Sequence, residues 1–262
     1  MTILFTICGR AGSKGLAGKN LKTFHGYPLI AYTLAAIDLF KEQSNNQVDV
    51  ALNTDSEDLQ AMIKDYPGIL MIERKKEHST DTASKMSVIR DTYLQAKKIS
   101  QVEYDYVIDL DLTSPLRTVS DIFKLMNKKE ENPNLDVIFS VVDSRRNPFF
   151  NMVKEEENTV SLVNASTVTS RQQAPTIYDM NASMYLYDPN FLKENDYIFS
   201  GKCGAIKMQD YLVLDIDSEE DFKWMEYIYL KLVKEEPGLA DIYNHISKIA
   251  LFYSSKKVLI DL

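Results

Sequence analysis

The sequence predicts an α/β fold built on a doubly wound, mainly parallel sheet with a small β-rich arm. Three observations carry that expectation. Strand and helix signals alternate through the first half of the chain. A glycine-rich basic loop follows the first strand directly, where open α/β sheets place their ligands. The alternation then breaks at Asp143 and returns after Tyr178.

The elements follow in order. "TILFTI" is apolar enough for a buried strand, and the loop after it leads to a helix from about Pro28 to Phe40, with proline suited to the helix start. "VDVALNTD" predicts a second strand, followed by a helix opening at Ser56 with Glu57 and Asp58 in its first turn. "ILMIE" predicts a third strand and "SKMSVIRDTYLQAKKI" a helix with apolar residues at helical spacing. "YDYVIDLDL" is a fourth strand, "TVSDIFKLMNKK" a helix capped by Thr118, and "LDVIFSVV" a fifth strand. Residues 143–178 are polar and irregular, too long for a bare loop in a compact domain, and predict a β-rich excursion that packs on a second copy of the chain. Regular patterning resumes with "SMYLYD", a strand "YLVLDID", and a helix from Ser218 to about Val233. Residues 1–235 thus make one domain with its arm, and 236–262 a C-terminal helical extension with a short tail.

Composition limits the function classes. The 262 residues carry a formal charge of -8, with 45% hydrophobic residues, which fits a globular protein and argues against nucleic acid as a main partner. The longest apolar stretch, "YPLIAYTLAAI", is too short to span a bilayer, and no basic segment followed by an apolar one marks a secretory signal. Cys8 and Cys203 show neither a disulfide framework nor metal spacing, so the expected location is cytoplasmic. Cys8 itself ends a buried strand and is expected to be a core thiol. His25, His78 and His245 are scattered and expected to be structural.

Charge is unevenly spread. No acid precedes Asp38, while Arg10, Lys14, Lys19 and Lys22 cluster around "CGRAGSKGLAGKN". The loop fails the Walker pattern, because the required first glycine is Ser13 and Gly18-Lys19 is followed by Asn20. It fails the dinucleotide fingerprint because Ala11 follows Gly9 where glycine is needed. Spaced cations on a flexible backbone still suit a nucleoside triphosphate, with Arg10, Lys14 and Lys19 neutralising the phosphates. Asp215 and Asp217 share one face of the expected strand end and make a hard-cation pair suited to Mg²⁺. Asp217 and Ser218 could instead cap the next helix, which explains one aspartate but not both. Asp109 and Asp111 end the fourth strand, and Arg117 is read as a spare cation. Arg171 could pair with a substrate carboxylate and Asn181 with hydroxyl or amide groups.

Six segments taken together resemble a family. "GRAGSKGLAGKNLKTFHGYPLIAYTLAA", "NTDSEDL", "RKKEHSTDTASKM", "LTSPLRTVSDI", "SRQQAPTIYDMNAS" and "DIDSEEDF", in that order, resemble the acylneuraminate cytidylyltransferases. The resemblance implies a nucleotide-diphospho-sugar transferase type of fold with a dimerisation arm. It implies transfer of CMP from CTP to the anomeric hydroxyl of a nine-carbon 2-keto acid sugar, with release of pyrophosphate. Carried onto this sequence, Arg10, Ser13, Lys14 and Lys19 would hold the triphosphate, with Asn20 near the ribose. Arg74 and Asp81, Thr82, Ala83 and Ser84 would line the cytidine pocket. Asp215 and Asp217 would hold Mg²⁺, while Arg171, Gln172, Asn181 and Tyr185 would face the sugar. No general base is identified; Asp215, Asp217 or a hydroxide held by the metal could serve.

The sequence departs from the sialate-specific pattern at two places. Asp111-Leu112 stands where those members usually carry Gln-Pro, and Asp179 where many carry a base, so Asp111 is expected near the sugar or metal. Several segments look closer to the branch that activates legionaminic acid. The rivals are a CTP transferase acting on an octulosonate, a GT-A glycosyltransferase using "DLD" as a metal motif, and a non-catalytic binding protein.

Overall fold

The apolar run at the N-terminus forms β1 (Thr2–Cys8), whose five inner residues are buried, as a strand covered on both faces must be. The computed structural model describes residues 1–12, 16, 18–80, 82–210 and 216–249. A short hairpin of β2 (Thr23–Phe24) and β3 (Tyr27–Pro28) leads into α1 (Leu29–Gln43). Then come β4 (Gln47–Thr54), α2 (Glu57–Ile63), β5 (Ile69–Glu73), α3 (Lys85–Ser100), β6 (Tyr106–Leu110), α4 (Val119–Glu131) and β7 (Val137–Asp143). The chain continues through β8 (Val153–Glu156), β9 (Thr159–Leu162), β10 (Tyr178–Tyr187), α5 (Pro189–Glu194) and β11 (Cys203–Lys207). It then forms α6 (Glu219–Glu235) and α7 (Pro237–Ile246).

Seven strands form one sheet in the order β11-β7-β10-β6-β1-β4-β5. β10 runs antiparallel to both neighbours, and the other pairings are parallel. The helices cover both faces. α1, α4, α6 and α7 build one core with Phe5, Ile37, Phe40, Ile122 and Tyr229, while α3 and α5 build the other with Leu4, Ile89, Tyr93 and Leu192. The doubly wound, mainly parallel architecture is therefore present.

Local chemistry sets the helix starts. Ser56 accepts from the Leu59 amide at 3.2 Å, and Thr118 and Ser218 each form a reciprocal capping box, with Asp121 and Asp221. The helix expected after residue 236 is present, and it is built into the domain rather than appended: Leu239, Ile242 and Ile246 are buried in the main core. Among the described residues, no helix is long and apolar enough to cross a membrane.

One expectation needs correction, and one strand goes beyond what the sequence led us to expect. The strand expected at "YLVLDID" falls largely on 211–215, outside the described residues, while Ile216 and Asp217 lie outside any helix or strand. The strand paired parallel with β7 is β11, which the sequence hides because "CGAIK" has only one β-branched residue. Gly204 is required there by packing, since an added Cβ would lie 2.5 Å from Leu135 Cδ1. Arg117, read as a spare cation, is wholly buried; it donates to Thr33 Oγ1 at 3.0 Å and to the Asp111 carbonyl, tying β6 to α1.

The arm at 143–178 is mostly irregular and carries one antiparallel hairpin, β8 with β9. Paired residues share a face, so Val153, Val160 and Leu162 line one side of it together with Glu155, and Val153 and Val160 are exposed.

Candidate active site

The site lies beyond the carboxyl ends of β1, β4 and β6, as expected for an open α/β sheet. Cys8, Gly9, Arg10, Lys19, Asn20, Arg74, Thr80, Ala83, Lys85, Val88, Asp111, Leu112 and Thr113 enclose a cavity of about 270 Å³. Six of the residues singled out in the sequence therefore meet in one place: Arg10, Lys19, Asn20, Arg74, Ala83 and Asp111. Ser13, Lys14, Asp81 and Asp215 lie outside the described residues.

The basic loop is tied down at both ends. Gly9 N–H donates to the Asn53 carbonyl at 3.0 Å, and Ala11 N–H donates to Asp55 Oδ1 at 2.7 Å. Glycine is needed at position 9 because a Cβ would come within 3.3 Å of both Asn20 and Leu112. Asn20 is buried, and its Nδ2 donates to the Arg10 carbonyl at 3.0 Å, so it braces the loop as well as lining the cavity. Lys19 reaches the C-terminal part of the domain: its ammonium donates to the Ile216 carbonyl at 2.9 Å and to Asp217 Oδ1 at 3.0 Å. Ser218, not Asp217, caps α6, which leaves the largely exposed Asp217 carboxylate beside a loop cation. Lys22 is spent on Glu219 at 2.9 Å.

Arg74 enters from the segment after β5. Its Nε donates to the His78 carbonyl at 2.9 Å, while Nη1 is buried with no hydrogen-bond partner. A buried guanidinium N–H normally has an acceptor, so this wall of the cavity is built to receive one. Thr82 is exposed on the same segment. Cys8 forms part of the cavity wall, and burial, then Asp109, push its thiol far up, which leaves it a poor nucleophile as expected.

Sequence reasoning missed Lys85. Its ammonium lies 2.7 Å from Asp111 Oδ2 and 3.2 Å from Asp109 Oδ2, and 5.2 Å from the centre of the Tyr185 ring. Asp111 also accepts from the Thr113 amide at 2.8 Å and the Thr113 hydroxyl at 2.7 Å. Burial would raise the Asp111 carboxyl, but Lys85 and these hydrogen bonds outweigh it and hold the group well below the usual carboxylate range. Burial likewise opposes the Lys85 charge, and the two aspartates reverse it, keeping the ammonium protonated. A lysine thus sits between the two acids of "DLD", where a glycosyltransferase metal would have to sit. The only signal for Lys85 was its place next to Ser84 in the "DTAS" segment.

The sugar-facing residues fare unevenly. Asn181 is buried: its Oδ1 accepts from Ser140 Oγ at 2.5 Å and its Nδ2 donates to Met208 Sδ at 3.2 Å, ties within the sheet, and it lines neither the main cavity nor the adjoining one. Tyr185 is buried and lines a smaller adjoining cavity with Ser84 and Lys85. Arg171 and Gln172 are exposed on a short turn of helix in the arm and do not line the main cavity; Arg171 donates to the Arg145 carbonyl at 3.3 Å. Asp179 is exposed at the start of β10.

The sequence matches the family described as Cytidylyltransferase over residues 4–257. It is 35% identical to a post-translational flagellin modification protein B of Campylobacter coli, over 89% of this chain and 96% of that protein. It is 35% identical to a CMP-N,N'-diacetyllegionaminic acid synthase of Campylobacter jejuni subsp. jejuni, over 86% of this chain and 94% of that one. Among solved structures it resembles a CMP:2-keto-3-deoxy-manno-octonic acid synthetase complexed with CTP, with a TM-score of 0.62, 15% identity, and coverage of 88% and 99%. At that identity the likeness concerns the fold.

Proposed function

Given that the chain belongs to the cytidylyltransferase family, we propose that it transfers CMP from CTP to the anomeric hydroxyl of a nonulosonic acid and releases pyrophosphate. The relative named as a legionaminic acid synthase favours an acceptor of the legionaminic class over N-acetylneuraminic acid. The observation that carries the proposal is the cavity with Arg10, Lys19 and Arg74 on one side and the Lys85–Asp111 pair on the other.

Chemically, the acceptor hydroxyl attacks the α-phosphorus in line, the new P–O bond forms, and the bond to the β-phosphate oxygen breaks. Arg10 and Lys19 neutralise charge that builds on the leaving pyrophosphate, and Asn20, which donates to the Arg10 carbonyl at 3.0 Å, holds the two ends of the loop together before substrate arrives. Arg74 offers its unpartnered Nη1 to an acceptor atom of the nucleotide. Asp217 is a largely exposed carboxylate, the hard oxygen donor that Mg²⁺ takes, and its ion pair with Lys19 would give way to the ion as Lys19 turns to the phosphates. Asp217 with Asp215 would hold the ion, which would supply further charge neutralisation to the phosphates. The exposed apolar face of the hairpin, with Val153 and Val160, supports pairing of two copies through the arm. The reaction belongs in the cytoplasm, where nucleoside triphosphate is available.

The test is pyrophosphate release from CTP with a panel of N-acetylneuraminic, legionaminic and octulosonic acids. Release with the legionaminic class above all is expected. Release with the octulosonate and with neither nonulosonate would refute the proposal.

A further inference from the structure

The first residue of α3 is a lysine, and nothing local favours it there. Ser84, at the N-cap, makes no side-chain capping bond, and the first turn of α3 holds no acid. A cation at a helix N-terminus is opposed by the helix dipole. The opposition is met from another element: Asp109 in β6 and Asp111 just after its end converge on the Lys85 ammonium. Asp109 is wholly buried, with Oδ1 taken by the Thr6 hydroxyl at 2.8 Å, so the Lys85 ammonium is the partner of its Oδ2. Lys85 lines both the main cavity and the adjoining one that holds Tyr185. A local rule broken where two cavities meet marks a functional position.

The two substrates named above are both anions. Without a cation beside them, Asp109 and Asp111 would repel the acceptor's carboxylate from the same cavity that holds the triphosphate. We propose that Lys85 is a positioning residue for the acceptor: it cancels the charge at Asp111, admits an anionic sugar acid beside CTP, and fixes the Asp111 carboxylate as a hydrogen-bond acceptor for it. This inference rests on the cytidylyltransferase reaction proposed above.

The charged and titratable groups facing the pair are Asp109 on β6, Tyr185 and Tyr187 on β10, Cys8 at the end of β1, and Arg74 after β5. Burial and Asp109 push both the Cys8 thiol and the Tyr187 hydroxyl up, so neither ionises between pH 5 and 7. Removing Lys85 leaves burial opposed only by the Thr113 hydrogen bonds, so the Asp111 carboxyl rises, and falling pH would protonate it and remove the repulsion.

The experiment compares wild type with Lys85→Met, Lys85→Arg, Asp111→Asn and the double variant Lys85→Met/Asp111→Asn, measuring KM for sugar acid and for CTP between pH 5 and 7. Lys85→Met should raise KM for the sugar acid by about tenfold or more, and KM for CTP by no more than about twofold. The rise should shrink as pH falls, and both Lys85→Arg and the charge-neutral double variant should recover sugar affinity to within about threefold of wild type. Melting curves identify a variant that does not fold, and the double and Arg variants then decide the matter. Equal losses for both substrates, a pH-independent loss, or a double variant worse than Lys85→Met would overturn the proposal while leaving the reaction intact. A wild type that releases no pyrophosphate with any sugar acid would overturn the reaction and this inference together.

Discussion

Replacing Lys19 by alanine isolates the phosphate-binding role of the basic loop. The Lys19 ammonium makes two contacts within the protein, to the Ile216 carbonyl at 2.9 Å and to Asp217 at 3.0 Å. Asp217 is largely exposed, so the ion pair contributes at most about 1 kcal/mol to stability. The carbonyl hydrogen bond adds about 1 kcal/mol. Together these limit the loss of melting temperature to roughly 4–8 °C for a chain of this size. A charge-assisted hydrogen bond to a phosphate oxygen is worth more, about 1.5–3 kcal/mol, because the ligand is itself ionic. Its removal should lower kcat/KM for CTP by roughly 10- to 150-fold. The assay is continuous pyrophosphate release at subsaturating CTP, with a melting curve on the same preparation. Full retention of kcat/KM for CTP would refute the assignment. So would a collapse in melting temperature that by itself accounts for the lost activity.

Other expectations follow from the same contacts. Asp109→Asn breaks a buried pair and should cost about 3 kcal/mol, lowering the melting temperature by roughly 6–12 °C in calorimetry. The Asp111 carboxyl is held below its unfolded value, so its stabilisation is complete above the unfolded pKa of about 3.9 and is lost as pH falls through the folded value. Lys85→Met should therefore cost most stability near neutral pH, and the difference in melting temperature from wild type, followed by circular dichroism, should shrink as pH falls. Val153→Lys with Val160→Lys should convert a dimer to a monomer in sedimentation experiments while leaving the protomer's melting curve in place; an unchanged mass would remove the hairpin face from the contact. Chelation should abolish pyrophosphate release and added Mg²⁺ restore it, and release that persists under chelation would count against a metal on Asp215 and Asp217.

Much of the fold was legible because its signals are local. A buried strand, a capping serine or threonine, and a helical apolar stripe are each set within about ten residues, and β1, β4, β6, α3, α4 and α6 all begin close to where the sequence places them. β11 was not legible: its residues are strand-like only because β7 offers a parallel edge and Leu135 packs against Gly204. The site divides along the same line. Arg10, Lys19 and Asn20 could be named because they sit together on a glycine-rich loop after a strand, and Arg74 and Ala83 through resemblance to a family.

By itself, then, the sequence determined a cationic loop after a buried strand and an alternating α/β order, since both depend on short-range chemistry. Tertiary structure alone decided how those residues are used. It buried Arg117 as a strut between β6 and α1 and spent the Asn181 amide inside the sheet. It also brought Lys85 across to Asp109 and Asp111. The physical reason is that a polar side chain's role is set by its partners, and the deciding ones here, Asp109 for Lys85 and Thr33 for Arg117, are 24 and 84 residues away in sequence, beyond the reach of any local pattern.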